Sequence, residues 1–154
     1  MQIGNLIILS PDAGMYKNLM KMCDKIDWVG ETYSASKSRE YKEGKSKLTQ
    51  IVDKNDFEGK DILIVDDICV KGGTFVGLAK LLRERNVGKL YLAVSHLTLP
   101  EVSKELVDSF DMIFTTNSKG WNEYFVKPYE NSGHDKVYPQ LAENIKVIKM
   151  FHGN

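Results

Sequence analysis

Three stretches of the chain, 6–10 (LIILS), 61–66 (DILIVD) and 89–95 (KLYLAVS), carry apolar residues without polar alternation. A strand with one wet face alternates apolar and polar side chains, so unbroken runs need cover on both faces. Residues 112–116 (MIFTT) and 145–151 (IKVIKMF) read as two more strands. The segments between the runs have helical spacing. Pro11 and Asp12 open one helix, with Asp12 near the positive end of its dipole. Tyr16, Leu19, Met20, Cys23 and Ile26 form its apolar face. A second helix runs from about Thr74 to Arg85, burying Phe75, Leu78, Ala79 and Leu82 and ending wet at Arg83, Glu84 and Arg85. A third spans about 100–109. Strands alternating with helices predict an α/β fold: an open, mostly parallel sheet with helices on both faces.

Two regions break this pattern. Segment 34–59 is polar and includes Lys37, Arg39, Lys42, Lys45 and Lys47. Stretches near 29–33 and 47–52 are expected to pair as a hairpin with a mobile, flexible loop between them. Region 118–140, rich in Gly, Asn, Tyr and Pro, reads as loop.

A chain of 154 residues suits one domain, 1–154, with a sizeable core. Lys plus Arg equals Asp plus Glu at 21 each, so net charge points to neither nucleic acid nor membrane as a partner. Cys23 and Cys69 make no metal-type pattern. Two thiols and an N-terminus without a basic, signal-like stretch lead us to expect a reducing, cytoplasmic setting.

The chemistry concentrates in DILIVDDICVKGGTF, residues 61–75. Ligands of open parallel sheets bind beyond the carboxyl ends of the strands. Asp66 and Asp67 stand at such an end, and Gly72, Gly73 and Thr74 start the following helix. Glycines let backbone N–H groups approach a phosphate, and the helix dipole favours the anion. Carboxylates accept hydrogen bonds from sugar hydroxyls and can hold magnesium (Mg). One short loop thus offers anion donors beside two acids, which suits a sugar phosphate such as ribose 5-phosphate. It is neither GxxxxGK[ST] nor GxGxxG.

VDDICVKGGT (65–74) resembles the phosphoribosyl-pyrophosphate loop of type I phosphoribosyltransferase folds. ILSPDAG (8–14), SKSREYKEGK (36–45), AVSHLTLP (93–100) and IFTTNS (113–118) resemble, in order and spacing, segments of the C-terminal half of ribose-phosphate pyrophosphokinases, the phosphoribosyl pyrophosphate synthetases. The resemblance spans nearly the whole chain. It implies magnesium-dependent transfer of pyrophosphate from ATP to ribose 5-phosphate or a related ribosyl phosphate. It implies that Asp66 and Asp67 face the ribose hydroxyls, while Gly72, Gly73 and Thr74 hold the 5-phosphate, with Lys71 beside it. It implies that Lys37 and Arg39 close over the ATP phosphates, and that Asp12 lies near the metal. His96, after the third strand, is read as packing or supporting the site.

Three departures stand out. Val70–Lys71 replaces the family's usual acidic position, removing a proton acceptor and adding a cation. Leu97 replaces a glycine after the histidine. The family's N-terminal half, with much of its ATP site, has no counterpart here. Either a separate N-terminal-half subunit supplies it, or the chain is a fragment, or it does something other than complete synthesis; a homo-oligomer is also expected. Two other readings stay open: a non-catalytic ribosyl-phosphate-binding subunit or sensor, and a phosphoribosyltransferase.

Overall fold

The computed structural model describes residues 3–42, 45–98, 103–118 and 143–150, with backbone alone for Ile3, 37–42 and 45–51. Seven strands form one sheet in the order β3-β2-β1-β4-β5-β6-β7. They are β1 (Leu6–Ser10), β2 (Thr32–Lys42), β3 (Lys45–Val52), β4 (Asp61–Cys69), β5 (Leu90–Leu97), β6 (Met112–Thr116) and β7 (Ile145–Ile148). Every neighbouring pair is parallel except β2 with β3. The helices are α1 (Ala13–Lys25), α2 (Gly73–Arg83) and α3 (Lys104–Ser109). None of the described helices is long and apolar enough to cross a membrane.

The unbroken runs are covered on both faces, as expected. Ile7 and Leu9 of β1 join Ile62 and Ile64 of β4 in the larger core, under Phe75, Leu78, Ala79 and Leu82 of α2 and Leu106 of α3. Ile8 faces the other way, into a smaller cluster with Leu19 and Cys23 of α1. Thus α1 covers one face, and α2 and α3 the other. On α1 the apolar face differs from the expected one. Met20 and Ile26 are exposed, while Met22 and Trp28 pack beside Leu19 and Cys23. The residue that follows the helix, Ile26, has turned out to water at 56% exposure.

A hairpin exists, but its first arm is not the expected 29–33: Thr32 and Tyr33 pair with β1, and 47–52 pairs with 35–40. Antiparallel register runs from Ala35↔Val52 to Lys42↔Lys45. Residues 34–42, read as the near side of a loop, are therefore strand. Ala35 and Val52 are buried and fix the base of the ribbon. Beyond that base a two-stranded ribbon needs no apolar face, so its polar composition concealed it. The tip at 43–44, and most of the 118–140 loop, lie outside the described residues. Similarly, β4 continues three residues past the expected end, because its pairing with β5 persists to Cys69↔Leu97.

A polar cluster ties the base of the ribbon to β4. The Glu31 carboxylate accepts from Lys60 Nζ, from Tyr33 Oη at 2.7 Å and from Lys54 Nζ at 3.1 Å. Lys54 also sits over the Tyr33 ring, which stacks edge-on against buried Phe57. The hydrogen bond from Lys60, with those from Tyr33 and Lys54, holds the Glu31 carboxyl down at about 2. A depressed acid stabilises the fold above its unfolded value and loses that contribution as pH falls towards its folded one. Because Glu31 is partly exposed, its contribution is screened to about 1 kcal/mol. Urea unfolding should show Glu31→Gln to be less stable than wild type at pH 7, with the difference closing by about pH 2 to 3. A gap that stays constant with pH would remove the cluster's ionic character.

Candidate functional site

The site forms where β4 turns into α2. Asp66 is half-buried and Asp67 exposed, both inside β4 rather than at its last residue. The chain then leaves the sheet through Val70 and Lys71 and enters α2 at Gly72. That residue has φ of 78°, in the left-handed region, which side chains resist. A Cβ at Gly72 would also lie 2.9 Å from Leu106 Cδ2. Glycine here lets the turn close tightly and lets α3 seat against it. The Gly72 carbonyl accepts from Val76 N–H at 2.9 Å, starting the helix.

Gly73 differs. A Cβ built there meets nothing within 4 Å. Its backbone therefore borders open space, and the amides of a helix's first turn lack acceptors within the helix. A cavity of about 410 Å³ lies here, lined by Asp66, Ile68, Val70, Lys71, Gly72, Gly73, Thr74 and Phe75. Lys71 is exposed and is the one cation among these wall residues. Ile68 and Val70, at 44% and 42% exposed, give the wall an apolar strip.

Burial is the largest influence on Asp66 and pushes its carboxyl up to about 6. The neighbouring Asp67 side chain and the negative charges of Asp67 and Asp12 push the same way, against the Asp67 N–H that donates to Asp66 Oδ1 at 2.8 Å. Asp12 caps α1: its Oδ1 accepts from Met15 N–H at 3.0 Å, while Ser10 Oγ donates to its carbonyl at 2.5 Å. The carboxyl ends of β1 and β4 thus bring three acids into electrostatic contact. Among the described residues no group of three or more acids, histidines or cysteines is arranged to hold a metal ion alone. The oxygen donors suit a hard divalent cation shared with a ligand, since magnesium commonly takes only one or two carboxylates. The raised Asp66 carboxyl marks an electrostatic load that such a cation would relieve.

Of the residues singled out in the sequence, Asp66, Lys71, Gly72, Gly73 and Thr74 meet in the cavity wall. Asp67 lies beside it, outside the wall, and Asp12 reaches Asp66 through charge. The backbone at Lys37 and Arg39 belongs to β2, across from Gln50 and Leu48; it is not loop, and their side chains lie outside the described residues. Ile68 and Phe75 are wall residues to which the sequence reading gave no part in the site; Phe75 was read only as helix core. Their signal was position alone, two residues after Asp66 and one after Thr74. The strand-end histidine pairs with IFTTNS: His96 Nδ1 lies 2.5 Å from Ser118 Oγ.

A ribose-phosphate pyrophosphokinase of Corynebacterium efficiens is 24% identical over 163 aligned positions, spanning 99% of this chain and 48% of that protein. One from Aquifex aeolicus is 29% identical, covering 94% of this chain and 45% of that protein. The chain therefore spans about half the length of these curated relatives. The crystal structure of phosphoribosylpyrophosphate synthetase from Mycobacterium smegmatis superimposes with a TM-score of 0.65 at 21% identity, over 96% of this chain and 41% of that one. A hypoxanthine phosphoribosyltransferase of Staphylococcus aureus gives 0.55 at 19% identity, over 92% of this chain and 73% of that one. These structures share the fold. The model of the phosphoribosyl transferase domain matches residues 2–132, a span that holds all the wall residues, and the chain belongs to that family.

Proposed function

We propose that the β4–α2 loop binds a ribosyl 5-phosphate, and that the chain serves magnesium-dependent pyrophosphoryl transfer from ATP to ribose 5-phosphate or a close relative. The observation that carries this reading is the cavity wall itself: Asp66 together with Gly73 and Thr74 of the first helical turn, with Lys71 between them in sequence. Phosphate sits at the amides and Lys71, while sugar hydroxyls donate to Asp66, with Asp67 beside it. In the transfer, the sugar's 1-hydroxyl oxygen bonds to the β-phosphorus of ATP, the bond to the α–β bridging oxygen breaks, and AMP leaves. Most of the catalysis is positioning and neutralisation of developing charge. Asp12 with Asp66 would hold magnesium, which neutralises phosphate oxygens when bound. Lys37 and Arg39 supply cations from the β2–β3 ribbon, Arg39 in a two-pronged grip and Lys37 as a point charge.

Because the chain spans about half of the curated relatives, the whole reaction is proposed for an assembly. The reaction is expected to need an N-terminal-type half as well, and a second copy of this chain is an expected partner, in a reducing cytoplasm. The test is a phosphoryl-transfer assay with and without such a half, measuring AMP and the pyrophosphorylated sugar. Product that needs ATP, ribose 5-phosphate and magnesium, and falls at least a hundredfold with Lys37→Ala or Arg39→Ala, supports the reading. Absence of product in every combination overturns transfer.

One observation favours a second reading. Val70 exposes its apolar side chain in the wall and can neither accept a proton nor hold a sugar hydroxyl. A ribosyl-phosphate-binding subunit or sensor without turnover would tolerate that. Binding by calorimetry together with no transfer in any assembly would select it.

A further inference from the structure

The carboxyl ends of β5 and β6 carry a hydrogen-bond relay that the loop does not use. Ser118 Oγ donates to the Ser95 carbonyl at 3.0 Å, and Thr116 Oγ1 donates to the same carbonyl at 2.7 Å. Ser118 N–H in turn donates to Thr116 Oγ1 at 3.3 Å. A hydroxyl has one proton. With that proton given to Ser95, Ser118 Oγ is an acceptor towards His96, 2.5 Å away, so Nδ1 carries the ring hydrogen. The lone pair of the neutral ring then lies on Nε2, for which the described residues supply no hydrogen-bond partner. This is the reverse of a serine–histidine nucleophile pair, in which the ring takes the hydroxyl proton. Ser118 here orients the imidazole and leaves Nε2 as its acceptor.

His96 stands directly across from Ile68 in the β4–β5 register, and Ile68 lines the cavity. Neighbouring strands are ~4.8 Å apart, and residues paired across them share a side of the sheet. The two strand ends stay joined beyond that level, through Cys69↔Leu97 and Thr98 N–H donating to the Cys69 carbonyl at 2.9 Å. The ring is thus held on strand backbone rather than on a loop, the kind of support that keeps a binding group in place. We propose that the site extends from the β4–α2 loop across β5, and that His96 Nε2 accepts a hydrogen bond from a hydroxyl of the bound ribosyl phosphate. His96 is a binding residue in this scheme, and Ser118 is a positioning residue that fixes its tautomer. The inference rests on the ribosyl-phosphate reading of the loop.

Calorimetry with ribose 5-phosphate and with inorganic phosphate tests it, on wild type, His96→Phe, His96→Gln and Ser118→Ala. Losing one neutral hydrogen bond predicts about 3- to 10-fold weaker ribose 5-phosphate binding for His96→Phe, with inorganic phosphate unchanged. His96→Gln, whose amide oxygen is an acceptor, should keep more affinity than His96→Phe. Ser118→Ala should weaken the same ligand by a smaller factor. Should His96→Phe fail to melt cooperatively, the other two variants carry the test. Unchanged ribose 5-phosphate binding, or equal losses for both ligands, overturns the inference. Asp66→Asn separates the two readings. A wild type that binds ribose 5-phosphate, loses it with Asp66→Asn and ignores His96→Phe overturns this inference alone. A wild type that binds neither ligand overturns both.

Discussion

Gly72→Ala is expected to lower stability by about 2–4 kcal/mol, whereas its neighbour Gly73→Ala leaves stability unchanged or slightly raises it. The two glycines are adjacent and look equivalent in sequence, but the fold uses them differently. At Gly72 the backbone is left-handed, and a methyl group would press on Leu106 at 2.9–3.2 Å. Leu106 is fully buried in the main core, so it has little room to retreat. At Gly73 nothing lies within 4 Å of the added carbon, and alanine is the better helix former, by about 0.5–1 kcal/mol. The proposed function puts the ligand phosphate in the open space beside Gly73. Gly73→Ala should therefore weaken ribose 5-phosphate by roughly tenfold, the worth of a charge-assisted hydrogen bond, while the protein melts no lower than wild type. Thermal melts and calorimetry on the two variants check both halves. Equal destabilisation by the two substitutions would contradict the division of labour.

Asp66→Asn should stabilise the protein and abolish binding. The Asp66 carboxyl titrates at about 6 in the folded chain, against the ordinary 3.8, with burial the leading cause and the charges of Asp67 and Asp12 adding to it. An acid raised by folding binds more protons folded than unfolded, so stability falls as pH rises between those values. The penalty is absent below about pH 4, grows up to about pH 6 and is complete at neutral pH. Screened for partial exposure, it amounts to about 1–2 kcal/mol, or ~3 °C and upwards for a chain of this size. The asparagine variant should gain this margin at pH 7.5 and show little of it at pH 4. Retaining a destabilising acid makes sense when the acid serves a ligand. Magnesium with ribose 5-phosphate should raise the wild-type melting temperature and leave that of Asp66→Asn unmoved. A variant that is less stable at neutral pH, or that still binds, would contradict this role.

Much of this site was legible because its signals are local. The run DILIV, the adjacent acids and the glycine pair sit within fifteen residues, and each type has a narrow set of uses. The strands and the helix stripes were legible for the same reason. What escaped depends on partners distant in sequence. β4 runs on to Cys69 only because β5 continues beside it to Leu97, and no local pattern records a neighbour's length. The arm that includes the backbone of Lys37 and Arg39 is mostly polar, so it read as loop. Met20 and Ile26 had helical spacing, but where the apolar face ends depends on which side chains the sheet and Trp28 offer. Gly72 and Gly73 could not be told apart, because the difference lies with Leu106 on another helix. The tie between His96 and Ser118 bridges 22 positions.

Titrating isotope-labelled protein with ribose 5-phosphate and following each backbone amide by NMR tests the central claim most directly. The account predicts saturable shifts that are largest at the amides of Gly72, Gly73 and Thr74, with smaller ones at Asp66 and Asp67. Ribose without phosphate should leave the three loop amides still. Saturation with the largest shifts elsewhere on the sheet, or no shifts at the loop at any concentration, would contradict it.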